Sequence, residues 1–145
     1  MILRAIALAI LVAAPVSAGE VPEALRLASE ARKQNGLPGL RHDRRLAAAA
    51  EVQARHMAST GKMGHKGPRG SRLQDRLEAT GYRACAGAEN VAMGQQTAQR
   101  VTVGWMGSRG HRRNILNRDV THGAVAAVRD ARGTVWWAMV LGRHC

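Results

Sequence analysis

Apolar residues recur at helical spacing through most of this chain and alternate at strand spacing mainly near its end. Pro22 suits the first turn of a helix. Leu25, Leu27, Ala28 and Ala31 follow it, until Asn35-Gly36 and Pro38-Gly39 interrupt the pattern. Leu40 and His42 fall in a short link. Asp43 is placed to cap a second helix running to about Ser59, where Leu46, Ala49, Ala50, Val52, Gln53, His56 and Met57 include an alanine-rich packing face and Gly61 is the stop. Residues 62–70 hold three glycines and a proline and read as loop, with His65 inside it. Ser71 and Gln74 have capping-box spacing for a helix to about Ala79, with Leu73 and Leu77 inward.

Residues 82–94 predict a brief strand in which Val91 and Met93 alternate, with Glu89 at its start on the same face as Val91. A carboxylate on an apolar strand face needs a partner or water, because burying it alone is expensive. Thr97 caps a further helix through Met106 that carries Ala98, Val101 and Trp105. Gly107 and Gly110 then break the regularity ahead of a short turn over residues 111–116. Residues 123–128 and 134–141 are the clearest β signal. They predict an antiparallel hairpin with Trp136 and Trp137 on opposite faces. Both faces are apolar enough to be covered by helices, so the class is α+β.

Composition adds three constraints. Arg4, the apolar run over residues 5–14 and the ending Val16-Ser17-Ala18 describe a secretory signal peptide over residues 1–18, with an uncleaved anchor as the alternative. That leaves residues 19–145 as one extracytoplasmic domain, secreted or periplasmic, with no transmembrane segment in the mature protein. Cys85 and Cys145 have only each other to pair with in an oxidising compartment, and a bridge between them contributes at most about 4 kcal/mol in the chain-entropy model. The net charge of +12 favours anionic partners, whereas 3% aromatics and export argue against nucleic acid.

Candidate chemistry concentrates in residues 104–116, GWMGSRGHRRNIL. On one helix, Trp105, Ser108 and His111 would share a side. His65 and the Glu89-Asn90 pair are the nearest unusual neighbours, and the three segments are expected to converge on one polar cleft.

His65, then Glu89-Asn90-Val91-Ala92, then Trp105-x-x-Ser108-x-Gly110-His111-Arg112-x-Asn114-Ile115-Leu116, then a hairpin, resembles the bacterial branch of the CAP superfamily. That superfamily comprises the cysteine-rich secretory, antigen 5 and pathogenesis-related-1 proteins, also called SCP-like. The resemblance covers residues 21–145 and implies a three-layer α-β-α sandwich with a small antiparallel sheet covered by helices on both faces. It also implies two histidines and two acids around a cleft. His65 and His111 match the histidines and Glu89 one acid, and Ser108 stands where the second acid would fall.

Three chemistries are open to these groups. His65, His111 and Glu89 make a workable shell for a divalent cation such as zinc, against which stands a hydrogen-bonded network needing no ion. Ser108, His111 and Glu89 nominally supply nucleophile, base and orienting carboxylate for an extracellular hydrolase or peptidase. The chain lacks a Gly-x-Ser-x-Gly elbow, and Ser108 reads better as a capping or network hydroxyl at the start of the His111 turn. Binding is favoured over catalysis: the resemblance implies lipid or sterol-like ligands, and the charge adds an anionic envelope or cell-wall component. Asn90, Trp105 and Asn114 are assigned supporting roles.

Overall fold

The last two strands organise the molecule. In the computed structural model, which describes residue 16 and residues 20–145, β3 (His122–Arg129) and β4 (Val135–His144) form the antiparallel hairpin the sequence predicts. Asp130 shapes its turn, Oδ1 accepting from Arg132 N at 2.9 Å and Thr134 N at 3.0 Å. The expected signal peptide lies outside the described residues, apart from Val16.

Among the described residues, five α-helices precede or interleave with the strands: α1 (Glu20–Gln34), α2 (Arg44–Thr60), α3 (Leu73–Ala79), α4 (Ala98–Gly107) and α5 (Arg109–Ile115). The other strands are β1 (Arg41–His42) and β2 (Ala84–Met93), and the sheet order is β1-β3-β4-β2. One correction concerns the sheet, which is mixed rather than purely antiparallel. Residues 41–42, read as link, pair parallel with His122 and Gly123. Two residues are too few to show a period, so the sequence carried no sign of this strand.

Strand alternation divides the core into two layers. Trp137, Met139 and Leu141 face α1 and α4, meeting Ala24, Ala28, Val101 and Trp105. Trp136, Ala138 and Val140 face α2 and α3, meeting Leu46, Ala50, Met57 and Leu77. Alanines on α1 and α2 let both helices approach the sheet closely. The disulfide forms between Cys85 and Cys145, joining the ends of neighbouring strands β2 and β4.

Asp43 caps α2 as predicted, its Oδ1 accepting from Arg45 N at 2.8 Å, while Oδ2 lies 3.0 Å from His144 Nε2. One carboxylate thus fixes both a helix start and the end of β4. Asp43→Ala is expected to lower stability by about 1–2 kcal/mol in urea unfolding. The α3 box differs from the expectation. A 3₁₀ turn over Pro68–Gly70 delays the helix start, and Asp75 rather than Gln74 reaches back, accepting from Arg72 N at 2.8 Å.

Candidate functional site

β2 lies at the sheet edge, so its outward backbone groups need partners other than a strand. Two side chains supply them. Asn114 Nδ2 on α5 donates to Glu89 O, and Trp105 Nε1 on α4 donates to Val91 O, each at 3.3 Å. Asn114 Nδ2 also donates to Asn90 Oδ1 at 2.8 Å, and Asn90 Nδ2 donates to His111 O at 3.1 Å. Buried Asn90 therefore pins the His111 backbone against one face of the strand. The supporting roles expected for Asn90, Trp105 and Asn114 acquire a common reason: all three cap or tie an exposed strand edge.

Alternation sends Glu89 to the other face, where α3 and the loop after α2 close over it. Arg76 Nη2 donates to Glu89 Oε2 at 2.5 Å, and His65 Nδ1 lies 3.0 Å from Glu89 Oε1. Arg76 and Glu89 are each 3% exposed at the side chain, whereas His65 is 61% exposed. A carboxylate oxygen accepts, so in this pair His65 Nδ1 is the donor and Nε2 is the ring nitrogen that Glu89 leaves unengaged.

The His65 loop is held from beneath. Gln53 Nε2 on α2 donates to Gly64 O at 2.6 Å and Lys66 O at 3.3 Å, and Arg76 Nη1 donates to His65 O at 3.2 Å. A Cβ on Gly67 would lie 2.7 Å from Ser71 Oγ and 2.9 Å from Gln53 Oε1, so a larger residue there would push these side chains out of place. Sequence reasoning did not assign Arg76 or Gln53 to the site. Arg76 sits three residues after Leu73 and beside Leu77, on the inward stripe of α3, and a charge on such a stripe is the signal that could have found it.

His111 is half-buried. Burial first, and then the nearby His65, lower its pKa from the ordinary 6.5, so it is uncharged at neutral pH. Because its folded pKa lies below its unfolded one, its contribution to stability is complete above 6.5 and is lost as pH falls towards the folded value. Imidazole NMR in the presence of chelator is expected to give His111 a midpoint below 6.5, and His65→Gln should move that midpoint part of the way back. A midpoint unchanged by His65→Gln would count against the electrostatic link.

Ser108 departs from two expectations. It adopts an extended conformation (φ −98°, ψ 123°) between α4 and α5, so Trp105 and His111 do not share one continuous helix. Its hydroxyl makes no cap bond at the start of α5. Residues 111–116, read as a turn, belong largely to that helix. Beside His111 opens a cavity of about 280 Å³ whose lining includes Met63, Met93, Val101, Trp105 and Ser108. A larger apolar groove of about 550 Å³, between α1, Leu40 and Val125, lies away from these histidines.

The arrangement has clear chemical consequences. Both Glu89 oxygens are engaged by His65 and Arg76, so the carboxylate does not orient His111 as a Ser108-His111-Glu89 triad requires. Among the described residues, no three of His, Cys, Asp and Glu come together as a metal shell. Two imidazoles remain, one oriented by a carboxylate and one desolvated.

Comparison with known proteins gives a consistent answer. The model of the cysteine-rich secretory protein family, CAP, matches residues 25–141. The Bacillus subtilis protein YkwD is 32% identical over 119 residues, which cover 82% of this chain and 46% of that protein. The Bacillus subtilis membrane protein YlbC is 30% identical over 105 residues, covering 72% of this chain and 30% of that protein. The chain thus spans less than half the length of either. Among solved structures, an extracellular SCP-domain protein from Bacillus anthracis superposes with a TM-score of 0.80 at 25% identity, over 86% of this chain and 40% of that one. An outer surface protein from Borrelia burgdorferi superposes with a TM-score of 0.83 at 18% identity, over 92% and 100% of the two chains, a likeness of fold.

Proposed function

The chain belongs to the cysteine-rich secretory protein family, CAP, and from that premise we propose that it is an extracytoplasmic binding module whose ligand enters the His65–His111 cleft. The carrying observation is the engagement of Glu89 by Arg76 and His65. That network rigidifies the cleft and leaves Ser108 without the histidine–carboxylate pair a nucleophile needs. The location is supported by the signal-like first eighteen residues and by the extracellular and outer-surface descriptions of the structural relatives. Among the described residues, no helix is long and apolar enough to cross a membrane. A lipid, sterol-like or anionic envelope ligand suits the apolar cavity beside His111 together with the basic surface.

Native mass spectrometry of the protein purified from a secreting host tests this reading. Wild type is expected to carry a co-purifying molecule that His111→Ala loses, and a clean apo spectrum for wild type counts against it. Ser108→Ala is expected to retain the ligand and to change stability by less than about 0.5 kcal/mol. If Ser108→Ala abolished a measurable turnover, the alternative of an extracellular hydrolase would take its place.

A divalent cation is a second reading with its own support. His65 keeps Nε2 available while Glu89 holds Nδ1, and His111 is uncharged, the form in which imidazole ligates. The described residues offer such an ion two imidazoles, one fewer protein ligand than a catalytic zinc site uses, with Glu89 orienting His65 from behind instead of ligating. When bound, it would act as a Lewis acid towards a ligand oxygen. Zinc titration by calorimetry is expected to give a stoichiometric heat that His65→Ala loses, and absence of heat in wild type removes this reading.

A further inference from the structure

Among the described residues, the large apolar side chains that stay exposed are Val52, Met63, Met93 and Val103. Both methionines of this set, Met63 at 53% exposure and Met93 at 47%, line the cavity of about 280 Å³ beside His111. Met57 and Met139, by contrast, are buried in the core. The exposed thioethers thus gather at one imidazole.

Three elements bring these groups together. Met63 precedes His65 by two residues, on the loop that Gln53 holds through Gly64 O and Lys66 O. Met93 ends β2 on the face of Glu89 and Val91. His111 stands on α5, its carbonyl fixed by Asn90 Nδ2. The cavity is small, and the three rotatable bonds of methionine let both sulfurs reach one point within it.

The donor set is soft. The cavity lining holds no Asp, Glu, Lys or Arg. Harder donors do not assemble: among the described residues, no three of His, Cys, Asp and Glu come together. A divalent ion there would enter a protein of net charge +12 with no carboxylate on the lining to offset it. Two uncharged thioethers and an imidazole favour monovalent copper over oxygen-seeking ions such as calcium and magnesium. Zinc, in turn, is held by thiolates, imidazoles and carboxylates. Among the described residues both cysteines lie in the disulfide, so no free thiolate competes for a soft metal.

Taking the cavity beside His111 as a binding site, as above, we propose that Met63 Sδ, Met93 Sδ and a ring nitrogen of His111 form a site for Cu(I). His65 does not line the cavity and is not a ligand in this assignment.

The probes are Cu(I), kept reduced by ascorbate without oxygen, and Ag(I), its redox-inert soft counterpart. Competition with a chromogenic Cu(I) chelator is expected to show one ion per chain. Met63→Leu and Met93→Leu should each weaken binding by at least about the tenfold that losing an outer partner of a metal ligand costs. Leucine keeps volume and apolar character and removes only the sulfur, so the fold and any organic ligand of the cleft should be retained. Met106→Leu, on the cavity between α1 and α4, and His65→Ala should each change Cu(I) affinity by less than about threefold, because neither side chain lines the site. In carbon NMR of ε-methyl-labelled methionine, Ag(I) should shift Met63 and Met93 together with the His111 imidazole and leave Met57 and Met139 in place.

Unchanged affinity in the Met63→Leu, Met93→Leu double variant would overturn the proposal, as would absence of saturable Cu(I) binding. Tighter binding of zinc, lost with His65→Ala, would overturn it in favour of the divalent reading. Methionine shifts without a His111 shift would place the metal elsewhere and overturn the ligand set. Wild type that takes up Cu(I) with these shifts yet gives a clean apo mass spectrum would uphold this site and sink the organic-ligand reading, so the two fail separately.

Discussion

Replacing Arg76 with methionine is expected to lower the unfolding free energy by about 3–5 kcal/mol, the range for breaking a buried ion pair by removing one partner. Methionine is apolar and flexible enough to occupy much of the arginine stem's path, so packing loss is limited and the effect is chiefly electrostatic. Glu89, only 3% exposed at the side chain, would keep His65 as its remaining side-chain partner, and His65 faces solvent. The carbonyls of His65 and Ser71 would lose a donor as well. Urea unfolding of Arg76→Met, Glu89→Gln and the double variant forms the check. Glu89→Gln should recover a substantial part of the loss in the Arg76→Met background, since a neutral amide tolerates burial better than an unpaired carboxylate. A double variant as unstable as the sum of the singles would show that Arg76 acts through packing instead.

A second large effect is expected at Arg32, which is 1% exposed and has no carboxylate beside it. Its guanidinium donates to four backbone carbonyls: Nε to Pro38 at 2.8 Å, Nη1 to Ile115 at 2.7 Å and to Asn117 at 2.8 Å, and Nη2 to Val120 at 3.0 Å. Burial pulls its pKa below the usual arginine value, yet an arginine remains charged at any physiological pH. The side chain thus ties α1 to the segment that leads from α5 into β3, and so holds the His111 wall from behind. Arg32→Met would leave four carbonyls without that donor. A loss of about 3–4 kcal/mol is expected after water partly replaces it, with faster amide exchange over residues 115–121. Arg32→Lys should recover less than half, because a compact ammonium cannot span the fork. Full recovery by lysine would mean that charge alone, without the fork geometry, holds the segment.

Both residues mark where sequence reasoning stopped. Asp43, Thr97 and Gly61 acted locally, and their roles were readable because a cap needs only the next three or four residues. The hairpin was readable because β-branched alternation and a five-residue turn coincide. β2 was readable only in part: Ala84–Met93 holds four alanines and a glycine, poor strand formers, yet it pairs with β4 along its length. Burial against a ready-made neighbour overrides intrinsic preference there. Ser108 shows the opposite error. A regular i, i+3 spacing suggested one helix face, but the chain breaks at that serine and starts again.

By itself the sequence determined the family and the two-sided core. It even marked Glu89 as a carboxylate requiring a partner. Only the tertiary structure decided who that partner is. Arg76 reaches Glu89 from a different element, so the pairing depends on how α3 is rotated over β2. The same packing gives Glu89 to His65 and withholds it from His111, which turns a nominal triad into a network around two imidazoles. Helical and strand periods fix which face a residue occupies, whereas the meeting of two faces is settled by burying apolar area over the whole sheet.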